Sequence, residues 1–513
     1  MCAQTKLSSG GVTRDELNSL VDRAADLIRT AVDYKFILVL LFLKRLNDLW
    51  RVEKQQYIQR LVKEAKLSEK EAEEEANKTN VYHSFNIPPE FLWDEVTKDV
   101  TSLPQRLATG ISETAKLNKE LQGVINRVDF LEFARNQENR ELLRQLVELF
   151  NKYDLSGKEV SPDVLGDAYE HILMKFAPQK AKEGEIYTPR EVIKLLVEIL
   201  DPQPSQKVYD PCCGSGGMLI ESYHHVAEKF GEQQARKLFL YGQERNPEIY
   251  AVCQMNLILH DIKSAEIANG DTLDYPKLRD GDSFLKADLV IANPPWNQDG
   301  YGEERLKRAD FRERFSFGYP TQSSADWAWI EHMLASTEKG RVGIVIDNGA
   351  LFRGGAEQTV RGRIIEKDWI ECIILTPEKL FYNTGAPGAL IILNKTKSTE
   401  RKNKILFTNA SSEYIQHPSV RRLNSLSSDN IAKIASAYRK FSEQEGFSRV
   451  VQKDEVELND YNLNVSLYVM PKEEVESIDI GEEFRELKEL EKERQAVMEK
   501  LEGYVSEVAK VTE

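Results

Sequence analysis

Three hydrophobic patterns follow one another along the 513 residues. Up to about residue 160 the apolar positions recur at helical spacing, without the alternation of a strand. Leu17, Leu20, Val21, Ala24, Leu27 and Ile28 make one helix face, opened by the capping pair Thr13 and Glu16. Residues 33–48 predict a second, mostly buried helix and residues 51–78 a charged helical run. Asn-Ile-Pro-Pro-Glu at 86–90 is a break, and residues 103–153 are again helical. Ser161 and Pro162 then cap and open a helix carrying Leu165, Ala168, Tyr169, Ile172, Leu173 and Phe176. From Gln206 short apolar runs alternate with helical patterns, which predicts a doubly wound α/β domain. Its strands are expected to end with residues 341–346, 369–375 and 389–393. In the third pattern, positions 480, 483, 487, 490, 494, 497, 501, 504, 508 and 511 follow heptad spacing, and eight of these ten are apolar. Such a seam on a charged helix predicts pairing with another helix, either of a partner or of the same chain. The expected division is an all-helical domain over 1–160, an α/β domain over 161–425 and a C-terminal region over 426–513.

Composition narrows the class. The hydrophobic content of 41% is enough for real cores, and the length suits two or three domains. Five cysteines without metal-type spacing, two of them adjacent at Cys212 and Cys213, fit a reducing cytoplasm. No metal site is expected. No signal-peptide pattern opens the sequence, and the apolar run at 36–43 is too short to span a membrane. The formal net charge of −15 is unfavourable for gripping phosphates without help.

The chemistry concentrates in two stretches of the α/β region. Residues 208–220 read Val-Tyr-Asp-Pro-Cys-Cys-Gly-Ser-Gly-Gly-Met-Leu-Ile, a short strand, a glycine turn and a helix start. Gly214, Gly216 and Gly217 admit unusual backbone angles and let a ligand approach the main chain closely. The stretch matches neither phosphate-loop nor dinucleotide fingerprints. Asp210 stands where a phosphate would lie, which favours a cationic group such as an amino-acid ammonium; a plain tight turn is the other reading. Residues 238–244 form a second strand ending in Glu244, an acid placed to hold ribose hydroxyls.

The second stretch is Ala-Asp-Leu-Val-Ile-Ala-Asn-Pro-Pro-Trp at 287–296. Here a buried strand ends in Asn293, Pro294, Pro295 and Trp296. The prolines fix the backbone and leave carbonyls without ladder partners. Asn293 and the Pro294 carbonyl suit the hydrogens of a planar exocyclic amine, and Trp296 suits stacking on its ring. The bland alternative is a strand-ending turn followed by a core tryptophan.

The two stretches together resemble the S-adenosylmethionine-dependent methyltransferases that modify adenine N6 in DNA. With its flanking segments the whole chain resembles the modification subunit of a type I restriction-modification system. The resemblance implies a helical domain ahead of a Rossmann-like catalytic domain, and S-adenosyl-L-methionine as cofactor. It implies that Glu185, Ile186, Tyr187, Thr188 and Pro189 close over the methionine end of that cofactor. Residues alone show there only a capped helix start, with Thr188 and Glu191 as the capping pair. Gly214, Ser215 and Gly216 would line the cofactor with Asp210 and Glu244. Asp271 matches the acid beside the cofactor's adenine, where the residues alone give a Asn-Gly-Asp turn. Phe381 and Tyr382 match the target-base pocket, where a core role is the alternative. The C-terminal helix would dock on a specificity subunit, with two copies of this chain to one of that, beside DNA and a restriction subunit. The polar segment 297–322 pairs five basic residues with five acids and suggests a mobile lid. Rival readings are a self-sufficient DNA methyltransferase, an RNA- or protein-directed enzyme of the same chemistry, and a non-catalytic assembly subunit.

Overall fold

The computed structural model describes residues 12–28, 33–157, 159–180, 187–382, 384–418, 420–470 and 480–511. It divides into two units, Met1–Met470 and Pro471–Glu513. The first unit is built on a nine-stranded sheet: β1 Lys207–Asp210, β2 Phe239–Glu244, β3 Ala265–Asn269, β4 Leu289–Ala292, β5 Arg341–Asp347, β6 Ile370–Leu375, β7 Gly388–Asn394, β8 Lys404–Asn409 and β9 Ser448–Gln452. Their order across the sheet is β9-β8-β6-β7-β5-β4-β1-β2-β3. All pairings are parallel except those of β7 with β5 and β6 and that of β9 with β8. The central strands β4, β6 and β7 are buried on both faces, which is why they read as unbroken apolar runs.

Two strands exceed the sequence reading, which ends the sheet at residue 393. β8 and β9 extend it, and β9 lies beyond residue 425, inside the stretch assigned to the C-terminal region. β9 is Ser-Arg-Val-Val-Gln, an edge strand with too few apolar residues to signal itself.

The longer helices are α1 Arg14–Ile28, α2 Lys35–Glu64, α3 Glu69–Ala76, α4 Leu103–Leu117, α5 Gln137–Phe150, α6 Pro162–Lys180, α7 Arg190–Leu200, α8 Gly217–Phe230, α9 Pro247–Leu259, α10 Asp326–Ala335, α11 Ala356–Glu366, α12 Ser428–Lys440 and α13 Ile480–Val511. The Thr13–Glu16 capping box forms as expected. The charged run 51–78 is not one helix: α2 continues to Glu64, and Ser68 with Glu71 makes a fresh capping box for α3. One hydrophobic core joins the N-terminal helices and α6 to Ala251, Val252, Met255 and Leu259 of α9. The helical region is thereby seated on one face of the sheet layer. Tyr169 Oη donates to the Val252 carbonyl at 3.3 Å, and Lys35 pairs with Glu248 at the start of α9.

The second unit contains α13, a helix of 32 residues. Leu487, Leu490, Val497 and Leu501 of the heptad seam, with Phe484 and Met498 beside it, are each more than half exposed. Among the described residues no helix is long and apolar enough to cross a membrane.

Candidate active site

β1 and β4 are parallel neighbours with Tyr209 level with Val290, so Asp210 and Asn293 leave adjacent strands at the same sheet edge. From β1 the chain runs outward through β2 and β3, then returns to the other side of β1 as β4. That reversal leaves a crevice at the carboxyl ends of the strands, the binding position in open α/β sheets.

The glycine turn fills the crevice floor. Gly214 and Gly216 adopt φ of 53° and 86°, a region that residues with a Cβ enter at a cost. A Cβ on Gly214 would meet nothing within 4 Å, so the turn borders open space there. On Gly216 it would stand 2.9 Å from Cys253 Sγ, which fixes that face of the turn against α9. Asp210 is buried, and its carboxylate accepts the Cys212 N–H at 3.0 Å. Burial pushes its pKa up to about 8, against the pull of that N–H and with a further push from Glu244. Glu244 ends β2 and accepts the Gly214 N–H at 3.1 Å and the Asn246 N–H at 2.7 Å, one on each oxygen.

Cavities flank the turn on both sides. One, of about 620 Å³, is lined by Cys212, Glu244, Asp271, Pro295, Tyr301 and Trp329. The other, of about 50 Å³, is lined by Tyr187, Thr188, Ser215, Gly217, Glu221 and Tyr382. In its wall Arg190 binds Asp167 at 2.6 Å and Glu170 at 2.9 Å, while burial raises the carboxyls of Glu170 and Glu221. A wider groove of about 1230 Å³ lies at the opposite sheet edge, where Lys207, Phe239, Leu289 and Arg341 begin their strands. It touches neither motif. The larger cavity has Glu244 and Asp271 in its wall, and the buried Asp210 stands at the start of the turn beside it.

Asn293 is held from both sides. Its amide N–H donates to Thr188 Oγ1 at 2.9 Å, and its Oδ1 accepts the Trp296 indole N–H at 2.9 Å. Thr188 therefore does not cap α7 as the sequence suggests: Pro189 occupies the cap position without a side-chain bond. Tyr187 pairs hydroxyl to hydroxyl with Tyr34 at 2.7 Å, tying this segment to the helical region. Glu185 and Ile186 lie outside the described residues.

Phe381 meets Trp296 edge-on at 4.7 Å and is only 1% exposed. A Cβ on Gly388 would come within 2.9 Å of both rings, so the missing side chain is what lets them close. Phe381 thus backs Trp296 with both faces covered, whereas Tyr382 faces the smaller cavity.

The segment 297–322 is not the open lid its polarity suggests. Tyr301, Leu306 and Phe315 are buried, and Arg314 is buried with a bond to the Thr272 carbonyl at 2.9 Å. Two of its side chains reach acids across the site: Arg305 binds Asp274 and reaches Asp271 at 3.3 Å, and Tyr301 Oη donates to Asp271 at 2.5 Å. Tyr301 and Arg305 are site residues that sequence reading misses. An aromatic five residues after Trp296 is their only local signal.

Comparison with known proteins accords with this geometry. A model of the N-6 DNA Methylase family matches residues 160–477, and one of the HsdM N-terminal domain matches residues 17–150. The type I restriction enzyme MjaVII methylase subunit of Methanocaldococcus jannaschii is 46% identical over 503 residues, 96% of this chain and 84% of that protein. The MjaVIII methylase subunit of the same organism is 43% identical over 97% of this chain and 85% of its own length. Among solved structures, the type I restriction-modification methyltransferase subunit from Streptococcus thermophilus superposes with a TM-score of 0.75 at 26% identity, covering 89% of this chain and all of that one. Fold, strand-end motifs and near full-length similarity agree: the chain belongs to the methylase subunits of type I restriction enzymes, the modification subunits that methylate adenine N6 in DNA.

Proposed function

We propose that the chain methylates an adenine flipped out of duplex DNA, with S-adenosyl-L-methionine as donor and the Asn293 to Trp296 corner as catalytic centre. The observation that carries this reading is that Asn293 leaves the sheet at the same edge as Asp210 and bonds Thr188, which lines one cavity beside the glycine turn, while Pro295 lines the other. Asp210, with Tyr187 to Pro189 and Ser215, would hold the amino-acid end of the cofactor. Glu244 would hold the ribose and Asp271 the adenine. When bound, S-adenosylmethionine supplies an electrophilic methyl group.

The target amine is a poor nucleophile because its lone pair is delocalised into the ring. Asn293 Oδ1 and the Pro294 carbonyl accept its two hydrogens, which localises the lone pair and disperses the positive charge that builds on nitrogen. Pro295 fixes the carbonyl's direction. The base must leave the stack to reach this corner, and Trp296 is the ring for it to rest on, with Tyr382 nearby and Phe381 behind. After transfer S-adenosylhomocysteine would leave as the neutral thioether, and the methylated, cationic amine would give up one of its two hydrogens to solvent, so no general base is required of the chain.

Gly216 offers a direct check on the cofactor assignment. Gly216→Ala forces a Cβ into a left-handed backbone, at about 1–3 kcal/mol, and against Cys253 Sγ. Affinity for S-adenosylhomocysteine should fall about tenfold or more by calorimetry. An unchanged affinity would separate the turn from the cofactor.

As a modification subunit the chain works on DNA in assembly with specificity and restriction subunits. Its acidic balance supports leaving most of the DNA grip, and the choice of site, to the specificity subunit. The exposed apolar row on α13 supports docking there; two copies of this chain per specificity subunit are part of the proposal. Cytoplasmic residence is supported by Cys212, Cys213, Cys253 and Cys372 being free thiols. Purified alone, the chain should leave a defined site unmethylated, and adding the specificity subunit should restore methylation in a complex whose mass shows two copies. Robust site-specific methylation by the isolated chain would favour the self-sufficient enzyme instead.

A further inference from the structure

The residue that follows Trp296 is strained and heavily restrained. Asn297 has φ of 51°, a left-handed backbone that a non-glycine residue occupies at a cost. Its N–H donates to Asp326 Oδ1 at 3.0 Å, at the first residue of α10. Its side-chain oxygen accepts from Arg353 Nη1 at 2.6 Å. The next residue is tied to the same helix, because Trp329 Nε1 donates to Gln298 Oε1 at 3.1 Å.

Arg353 is the centre of this arrangement. Beyond Asn297, Nη1 reaches Asp347 Oδ2 at 2.9 Å, Nε reaches Glu357 Oε2 at 2.9 Å, and Nη2 bonds Asp326 and Ser324 Oγ. Asp347 ends β5, the strand beside β4, and Glu357 lies in the first turn of α11. One guanidinium therefore pins the chain after Trp296 to the end of a neighbouring strand and to the starts of two helices. Asp326 and Glu357 are at most 1% exposed, so their charges have no bulk water to fall back on. A fork of five donors fills these sites at once, which an ammonium cannot do.

We infer that Arg353, acting through Asp326 and Asn297, is a positioning residue for methyl transfer: it holds the left-handed turn that keeps Trp296 and Asn293 in their reactive arrangement. The link to the reacting corner is short, because the Trp296 indole N–H is itself the donor to Asn293 Oδ1. A turn released at Asn297 lets Trp296 rotate, and Asn293 then loses one of its two restraints. Arg353 touches neither of the cavities that flank the glycine turn, so cofactor binding should not depend on it. The inference rests on the proposed catalytic role of Asn293.

The test uses the chain assembled with its specificity subunit, tritiated S-adenosylmethionine, and plasmid DNA from a host lacking the system. Arg353→Lys should lower kcat on the order of 100-fold, the scale of a reacting group displaced by about 1 Å. The KM for S-adenosylmethionine should stay within about twofold, marking an interaction that matters in the transition state. Asp326→Asn, which keeps the acceptor for Asn297 but not the charge for Arg353, should lower kcat in the same way. Asn297→Gly added to Arg353→Lys should recover part of the lost rate, since glycine takes the left-handed turn freely. A mere loss of folded protein would lower the melting temperature and leave the turnover per folded enzyme unchanged. Wild-type turnover by Arg353→Lys overturns the inference, as does a rate loss that follows the melting temperature and resists the glycine. Asn293→Ala is run in parallel: if it stays active, the reading of the corner fails, whereas a dead Asn293→Ala beside a fully active Arg353→Lys rejects only this inference.

Discussion

Asn293→Ala should lower methyl transfer on the order of 1000-fold, the upper range for removing one group that stabilises transition-state charge, while S-adenosylhomocysteine still binds with its normal affinity. The expected size follows from how the side chain is held. Its amide donates to Thr188 and its oxygen already accepts the Trp296 indole N–H, so the free acceptor direction of Oδ1 is fixed in space. Alanine removes that acceptor and also releases Trp296, so the target amine loses both a hydrogen-bond partner and a fixed stacking surface. Neither loss reaches the cavity lined by Glu244, Asp271 and Tyr301, and the nucleoside end of the cofactor should be held as before. Asn293→Asp preserves the oxygen but replaces the donor to Thr188 with a second acceptor. It should retain more activity than alanine and far less than wild type. Tritium incorporation by the assembled complex, read beside calorimetry on the chain, separates the two effects. Turnover by Asn293→Ala within tenfold of wild type would remove Asn293 from the chemistry.

The parts of this site that can be read from the sequence are those whose chemistry is written in consecutive residues. Asp210 and the glycine turn occupy seven adjacent positions, and Asn293 to Trp296 occupy four. Each ends an apolar run long enough to mark a strand, so their meeting at one sheet edge follows from the doubly wound pattern. Residues that act by distant pairing are silent. Arg353 is 56 residues beyond Asn297, and nothing local distinguishes it from a solvated surface arginine. Thr188 looks like a helix cap because threonine before proline usually is one; its true partner, Asn293, lies 105 residues away. Segment 297–322 reads as a lid because it is a long polar stretch beside the catalytic strand end, whereas in space Arg305 pairs with Asp271 and Asp274 and Tyr301 is buried. β9 escapes notice for a related reason, since an edge strand draws its stability from one neighbour rather than from its own apolar content.

Asp210→Ala should weaken cofactor binding on the order of 100-fold, the equivalent of about 3 kcal/mol for removing one side of a buried charge pair. The wild type should also bind more tightly as pH rises toward 8. In the free chain the carboxyl is buried and raised to about 8, far above the usual aspartate value of about 3.9. At neutral pH it is therefore largely protonated. A cationic amino-acid group placed beside it favours the ionised form, so binding expels a proton and gains affinity with pH until the free carboxyl is itself ionised. Calorimetry with S-adenosylhomocysteine in two buffers of different ionisation enthalpy would count that proton, and Asp210→Asn should release none. Stability of the free chain carries the opposite sign. An acid whose folded pKa is raised adds most to stability below about pH 4 and loses that contribution as pH climbs through about 8. Asp210→Asn should thus melt at or above the wild-type temperature near pH 8 without cofactor, and below it once saturating cofactor is added to both. A variant that melts lower under both conditions would make Asp210 a packing residue rather than the acid that meets the cofactor's positive end.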